Sequence, residues 1–500
     1  MSFKRNVIAS YVSQIYTAVI GIVMLPFYIK FMGSEAYGMI GFFTMLQAWF
    51  ALLDLGLTPT IGRETARFNA GALDVTAFRR LYRSLSCIFV GVALLGAMLL
   101  YSQAANIASH WLKVEVVSVN DIKTALEIIA ACVSLRWLGG LYRGIITGFE
   151  QLVWLSGFNL IVGTLRFVMV IPVMAYFGYT LFVFFSYQLC LALAECLGLW
   201  VKSVRLLPVL TPIERAALGW SFKPVKTVLK FALSIAFTSA VWVLVTQTDK
   251  LVLSSILPLA DYGVYTLAVL VASGIMIIGA PISQVLMPRM ASLHASGKYD
   301  EVVAIYKSST QIVTVIAGAA AITLIFCAKP LLYVWTGSLP VAEQAAPILQ
   351  LYAVGNALLA IGAFPYYMQY ARGNLFYHLL GNALMVVIII PLIVIAAKHY
   401  GGVGAGYVWC GMNALYLFCW VGYVHRKIIP GVHVEWLLLD VLKIFLPALS
   451  GGFLIDYLFP ASAGTALSVV HVLAVGGVAL IISIFVSPFM RHLILTRMAR

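Results

Sequence analysis

Fourteen apolar stretches recur along the chain, separated by short polar breaks: 7–31, 36–60, 83–102, 124–147, 152–177, 180–203, 229–256, 261–287, 308–328, 344–370, 375–397, 401–424, 437–459 and 464–487. A helix needs about 20 apolar residues to cross the hydrocarbon of a bilayer. The stretches have that length and are hydrophobic on all sides, so they predict membrane-crossing helices. The first follows Lys4 and Arg5 directly. It is too long for the core of a signal peptide and lacks a small-residue cleavage site, so it is expected to be an uncleaved first helix. The breaks are short. The longest on one side runs from Gln103 to Lys123, and the longest on the other from Lys202 to Leu229, where Pro208, Pro212 and Pro224 stand among basic residues and predict a linker with a short surface helix.

Composition narrows the class further. Of 500 residues, 62% are hydrophobic and 10% charged, with a mean hydropathy of +1.00. Soluble domains carry about 25% charged residues, so this chain cannot cover a water-facing surface. A soluble enzyme and a disordered chain are excluded on that ground, leaving an all-α polytopic membrane protein. The net charge of +14 would suggest nucleic acid in a soluble protein. Here, with the N-terminus placed inside and the sides alternated, 22 of the 27 cations between spans fall inside and five outside. This is the positive-inside pattern, with both termini cytoplasmic, and nucleic acid is dropped as a partner. The seven cysteines form no CxxC pair and read as small core residues.

An internal repeat organises the spans. Ala36-Tyr37-Gly38 begins the second stretch and Asp261-Tyr262-Gly263 the eighth, an offset of 225; Asn159 and Gly178 match Asn382 and Gly401 at an offset of 223. Each unit then holds six spans facing the same way, as in parallel-repeat transporters. The expected domains are a six-helix lobe at 1–206, a linker at 207–228, a second six-helix lobe at 229–427, and two further helices with a cytoplasmic tail at 428–500.

Charges inside the spans mark candidate chemistry, because a cation at mid-membrane costs roughly 2.5–3.5 kcal/mol on insertion scales. Arg136 and Arg143 lie seven residues apart on one face of the fourth span, and Arg166 lies on one face with Asn159 in the fifth. Lys250 continues a stripe of Ser239, Trp242 and Thr246. Arg63 follows the second span. These five cations are the candidate binding set for an anionic passenger, since the arginine fork holds two phosphate oxygens at once. The competing reading is structural pairing, with Asp249 beside Lys250 and with Glu127, Glu150 or Glu195. Asp54, with Gln47 on its face, and Asp249 are candidate coupling or gating groups; for Asp54 the alternative is a helix-end carboxylate paired with Arg63 or Arg67. Asp440 and Lys443 predict a local pair, Trp111, Trp335 and Trp436 an interfacial belt, and Pro26, Pro172, Pro281, Pro365 and Pro391 kinks. No phosphate loop, HExxH or Cys/His cluster is present, so no cofactor, metal or catalytic residue is expected. No loop is large enough to carry the acidic groups of a membrane glycosyltransferase.

The stretch from Leu25 to Gly71 resembles the N-terminal signature of the Wzx-type polysaccharide or O-antigen flippases, within the multidrug/oligosaccharidyl-lipid/polysaccharide exporter superfamily. It carries a proline near the end of the first span, Gly33-x-x-x-Tyr37-Gly38, Asp54-x-Gly56 and Arg63. The resemblance implies two six-helix lobes around a cation-lined cavity, alternating access, and transfer of undecaprenyl-pyrophosphate-linked oligosaccharide across a bacterial inner membrane. A proton or sodium gradient is the coupling it suggests. The function expected is therefore a lipid-linked oligosaccharide flippase and not an enzyme. The alternatives are a cation-coupled drug or metabolite antiporter of the same superfamily, whose cavity would be dominated by acids, and a membrane glycosyltransferase or ligase.

Overall fold

The computed structural model describes residues 3–219, 222–277, 279–460 and 465–498. Arg500 and residue 464 lie outside the described residues, as do the side chains of Lys4, Arg5, Lys230, Pro281 and Arg497. Among the described residues the elements are helices, and the one β-type contact is an isolated bridge between Lys113 and Pro258. The chain forms two compact units, Met1–Gly263 and Val264–Arg500.

In the first unit the helices are α1 (Phe3–Val23), α2 (Leu25–Met32), α3 (Ser34–Phe50), α4 (Leu57–Asn69), α5 (Val75–Asn106), α6 (Val119–Gly148), α7 (Leu152–Phe167), α8 (Val170–Phe177), α9 (Leu181–Leu206), α10 (Pro212–Ala217) and α11 (Lys223–Ile256). Helix α12 (Leu259–Ile277) begins there. The second unit continues with α13 (Gly279–Ala295), α14 (Tyr299–Thr336), α15 (Leu339–Gly362), α16 (Phe364–Ala371), α17 (Phe376–Leu415), α18 (Val421–Ile428), α19 (Val432–Glu435), α20 (Lys443–Leu458), α21 (Thr465–Val486) and α22 (Pro488–Met498).

Among the described residues twelve helical segments are long and apolar enough to cross a membrane, where the sequence predicts fourteen runs. Two differences account for this. The runs 375–397 and 401–424 lie in one helical segment, Phe376–Ile428, kinked at Gly401 (φ 57°, ψ −137°). The run 229–256 lies in α11, which is not among the twelve. The outer surface is greasy: Leu95, Leu99, Val387 and Leu473 are each more than 65% exposed. Such a surface is stable only against lipid tails, so the protein is a multi-pass membrane protein.

Glycines set the closest helix approaches. On α6, Gly140, Gly144 and Gly148 recur every four residues and face α4. A Cβ on Gly144 would stand 2.6 Å from Ile61 Cγ2 and 2.8 Å from the Thr58 carbonyl oxygen. Without side chains at these positions the two backbones pack directly, which is how helices gain dispersion energy where lipid offers no hydrophobic drive. The two Tyr-Gly motifs meet as well. A Cβ on Gly263 would stand 2.6 Å from the Ser34 carbonyl oxygen, and one on Gly38 would collide with that of Leu259. Both pairs are related by the offset of 225.

The second unit is stitched by buried polar contacts. Gln311 of α14 donates to Asp440 (2.6 Å) and accepts from Ser487 (2.8 Å). Asp440 thus takes a partner on another helix rather than Lys443. Trp436 is fully buried, donating to Thr310 (3.0 Å) among Tyr306 and His425, and is not an interfacial anchor. Pro26 and Pro365 each open a new helix after a break, where their missing N–H costs nothing, whereas Pro391 lies inside α17, whose kink falls at Gly401.

Gly144→Leu is expected to force α4 and α6 apart at a cost of about 1–3 kcal/mol. The check is the midpoint of thermal unfolding in detergent, which should fall, whereas Gly157→Ala, with open space at its Cβ, should leave it unchanged.

Candidate functional site

Three helices of the first unit each carry two polar groups seven residues apart in otherwise apolar surroundings: Arg136 and Arg143 on α6, Asn159 and Arg166 on α7, Gln188 and Glu195 on α9. Seven residues are two helical turns, so each pair projects from one face. The structure brings the six together. Arg143 donates to Asn159 Oδ1 (2.7 Å) and to Glu195 Oε1, Arg166 donates to Glu195 Oε2 (2.6 Å), and Gln188 Nε2 donates to the Arg166 carbonyl oxygen (3.1 Å). Arg136 donates to Gln188 Oε1 (2.6 Å) and to Gln47 Oε1 of α3 (3.2 Å), with its guanidinium 5.0 Å from the Phe43 ring centroid.

Charge balance in this ladder is unequal. Glu195, 7% exposed at its side chain, serves two arginines. Among the described residues no carboxylate lies within ion-pair distance of Arg136, whose partners are neutral amides, and its Nε is buried without a hydrogen-bond partner. Amide oxygens satisfy the geometry of a guanidinium but leave its charge in place. Three cations against one anion give the ladder a net charge of +2 inside a membrane span.

Arg136 opens onto a cavity of about 450 Å³. Its opposite wall is a break in the second span. After α3, residues Ala51–Asp54 form a turn of 3-10 helix, Leu55 and Gly56 adopt left-handed conformations (φ 45° and 71°), and α4 begins anew at Leu57. Left-handed backbone is natural for glycine and strained for leucine. The break puts the N-terminal end of α4 on the cavity, where exposed backbone N–H groups favour negative charge. Asp54 occupies that place: its carboxylate accepts from Thr58 N (3.1 Å) and Thr58 Oγ1 (2.6 Å). Arg63 and Arg67 flank Glu64, at 3.8 and 2.9 Å. Gln47, Trp137 and Ser239 also line the cavity.

Of the expected set, then, Arg136, Arg143 and Arg166 come together, and Arg136 shares a cavity with Asp54. Lys250 lies outside that cavity, donating to the Thr246 carbonyl oxygen (2.7 Å) and to Asp249 Oδ1 (3.3 Å), and Asp249 is buried. Of the stripe on α11, only Ser239 reaches the lining. Arg63 is half-exposed beside Glu64. Sequence reasoning missed Gln188 and Phe43, and named Glu195 without its double role. The signal for α9 was available: Gln188 and Glu195 repeat the seven-residue spacing of Arg136 and Arg143. Also missed was Glu35, whose buried carboxylate accepts from the backbone N–H groups of Glu115 (2.6 Å), Val116 (2.8 Å) and Val117 (2.8 Å) and so fixes the loop between α5 and α6. Among the described residues no group of three or more His, Cys, Asp and Glu could hold a metal ion.

Comparison with known proteins adds family and fold. A family model described as "Polysaccharide biosynthesis protein" matches residues 3–294. A Shigella flexneri protein named "Putative O-antigen transporter" is 22% identical over 411 residues, covering 82% of this chain and 94% of that protein. Among solved structures, "Lipid II flippase MurJ, inward closed conformation" superposes with a TM-score of 0.72 at 15% identity, covering 97% of this chain and 100% of the other. An inward-facing multidrug resistance transporter of the MATE family, in the MOP superfamily, gives 0.66 at 12% identity, covering 82% and 95%. The structural likenesses establish a shared fold.

Glu195→Gln is expected to lower stability, because Arg143 and Arg166 lose their common counter-charge. Removing one partner of a buried ion pair costs about 3–5 kcal/mol; the two arginines are 31% and 22% exposed, which lets water share the load and puts the effect at the low end. Thermal unfolding in detergent reads it, and Arg143→Gln in the same background should recover part of the loss.

Proposed function

The chain belongs to the polysaccharide biosynthesis protein family, and from that premise, with the charge balance of its first unit, we propose that it is a flippase for a polyprenyl-pyrophosphate-linked oligosaccharide. The observation that carries the proposal is Arg136: a guanidinium within an apolar bundle, held only by neutral amides and facing a cavity. An uncompensated cation there is costly unless an anion visits it. A pyrophosphate head group is such an anion, and it cannot cross hydrocarbon without a polar path. The names of the Shigella relative and of the lipid II flippase point to the same passenger class. The substrate-binding set is Arg136, with Arg143 and Arg166 behind it, and Lys250 and Arg63 further along the path. Hydroxyl and aromatic groups such as Thr58, Ser239 and Trp137 suit the sugars, and the polyprenyl tail stays in lipid.

Asp54 takes the gating role in this reading. Its carboxylate sits at the N-terminal end of α4, where a phosphate would otherwise bind, and acts as a standing counter-anion to the cavity. An incoming pyrophosphate competes with it, and its return favours release. Asp249, buried beside Lys250, is the second candidate for sensing a driving proton or sodium ion. The remaining parts of the proposal are a bacterial inner-membrane location, both termini cytoplasmic, export by alternating access, and the lobe limits 1–206 and 229–427 with a linker at 207–228 and the added segment 428–500. The presence of one acid, Asp54, in the cavity is the feature an antiporter would share; a drug-type cation would have to bind there against Arg136.

The test is transfer of a fluorescent lipid-linked oligosaccharide across liposomes holding purified protein. A charge-assisted hydrogen bond is worth about 1.5–3 kcal/mol, so Arg136→Ala should slow transfer about 10- to 100-fold. Arg136→Ala combined with Arg143→Ala should abolish it. Unchanged transfer in the double variant would remove the cation argument.

A further inference from the structure

A second group of cations lies away from the cavity, where the linker meets the start of α5. Asp74 caps α5 by accepting from Thr76 N (3.0 Å) and Ala77 N (3.3 Å), and the chain then presents Arg79 and Arg80. Arg80 Nε donates to the Leu218 carbonyl oxygen (2.9 Å), which docks the linker onto α5. The Leu218 N–H in turn donates to the Arg215 carbonyl oxygen (3.3 Å), so the docked residue is tied to Arg215 of α10 while Arg79 precedes Arg80 on α5. Cations gathered in one region repel unless an anion joins them. The nearest acids in sequence are already engaged: Asp74 in its helix cap, and Glu214 in a capping box with Thr211, accepting its N–H (2.8 Å). Among the described residues no carboxylate forms an ion pair with Arg79 or Arg215, and Arg79 Nε is buried without a hydrogen-bond partner.

The apolar residues beside these cations say what the anion is attached to. Val209 is 89% exposed and Ile213 83% exposed, on a segment that otherwise carries Arg205, Arg215 and Lys223. Exposed aliphatic side chains interleaved with cations are the composition of a segment lying in a bilayer interface, its apolar groups among acyl chains and its cations among phosphates. We propose that Arg79 and Arg215 bind the phosphodiester head group of an anionic phospholipid, with its acyl chains against Val209 and Ile213. This site is separate from the Arg136 cavity and independent of the passenger assigned above. It would hold the linker on the membrane surface.

The experiment uses the full chain in nanodiscs of phosphatidylcholine and phosphatidylglycerol in equal amounts, followed by native mass spectrometry of the lipids retained. Wild type should retain phosphatidylglycerol over phosphatidylcholine, and Arg79→Gln with Arg215→Gln should lower that preference about tenfold, as expected for lost charge-assisted contacts. Arg79→Lys with Arg215→Lys, which keeps the charge, should hold most of it. Arg372→Gln with Arg426→Gln, the same charge change elsewhere, should have no effect. Equal retention in wild type and the glutamine pair, or an equal loss in the control pair, overturns the proposal. So does displacement of phosphatidylglycerol from wild type by millimolar inorganic phosphate, which would make this a site for free phosphate. If the glutamine pair fails to fold, the lysine pair and the phosphate competition still decide.

Discussion

A guanidinium cannot shed its proton to escape the hydrocarbon, so every arginine inside a span must find oxygen atoms. That constraint shapes the first unit. Arg143 and Arg166 converge on one carboxylate, Arg136 takes two amides, and the groups that receive them come from α3, α7 and α9. Three helices are thereby held in register around α6 by polar contacts, in a setting where lipid supplies no hydrophobic force between helices. The same contacts leave a surplus of positive charge. On the function proposed above, structure and function draw on one interaction: fully neutralising the ladder would remove its reason to attract an anion.

Packing places that surplus beside a second source of positive potential. The glycines on α6 let α4 approach until Thr58 lies against Gly140. Thr58 is also the residue that binds Asp54. One close helix crossing therefore fixes the distance between Arg136 and the broken end of the second span. Discontinuous helices of this kind are a recurrent way to present backbone N–H groups to an anion in a membrane, and here the vacant end is filled by the chain's own carboxylate.

How much of this could be read from the sequence follows from the range of each signal. Span positions and the seven-residue spacing of the arginines are local periodicities and were legible. The choice of partners was not. Glu127, Glu150 and Glu195 were equal candidates in sequence, and only the parallel packing of α6 on α9 puts residues 52 apart opposite each other, Gln188 to Arg136 and Glu195 to Arg143. The break in the second span was hidden because Leu55 is apolar and continues the hydrophobic run; only its left-handed backbone betrays it. Trp436 reads as an interfacial residue by its place near a span end and is instead core, because Tyr306, Thr310 and His425 enclose it.

The repeat explains which features duplicate and which do not. Gly178 and Gly401, 223 residues apart, both adopt positive φ where a helical segment turns (108° and 57°), so a backbone need has kept the glycine in each copy. Gly38 and Gly263 go further. The carbonyl that crowds Gly38 belongs to Leu259, and the one that crowds Gly263 belongs to Ser34. Residue i meets residue j − 4 in both directions, so the contact between the two motifs is reciprocal. A side chain at either position would open both contacts at once. The chemistry shows no such doubling. The positions 223 residues after Arg136, Arg143, Arg166 and Glu195 are Leu359, Tyr366, Ile389 and Phe418. Duplication therefore accounts for the scaffold, and the charged ladder is a specialisation of one copy.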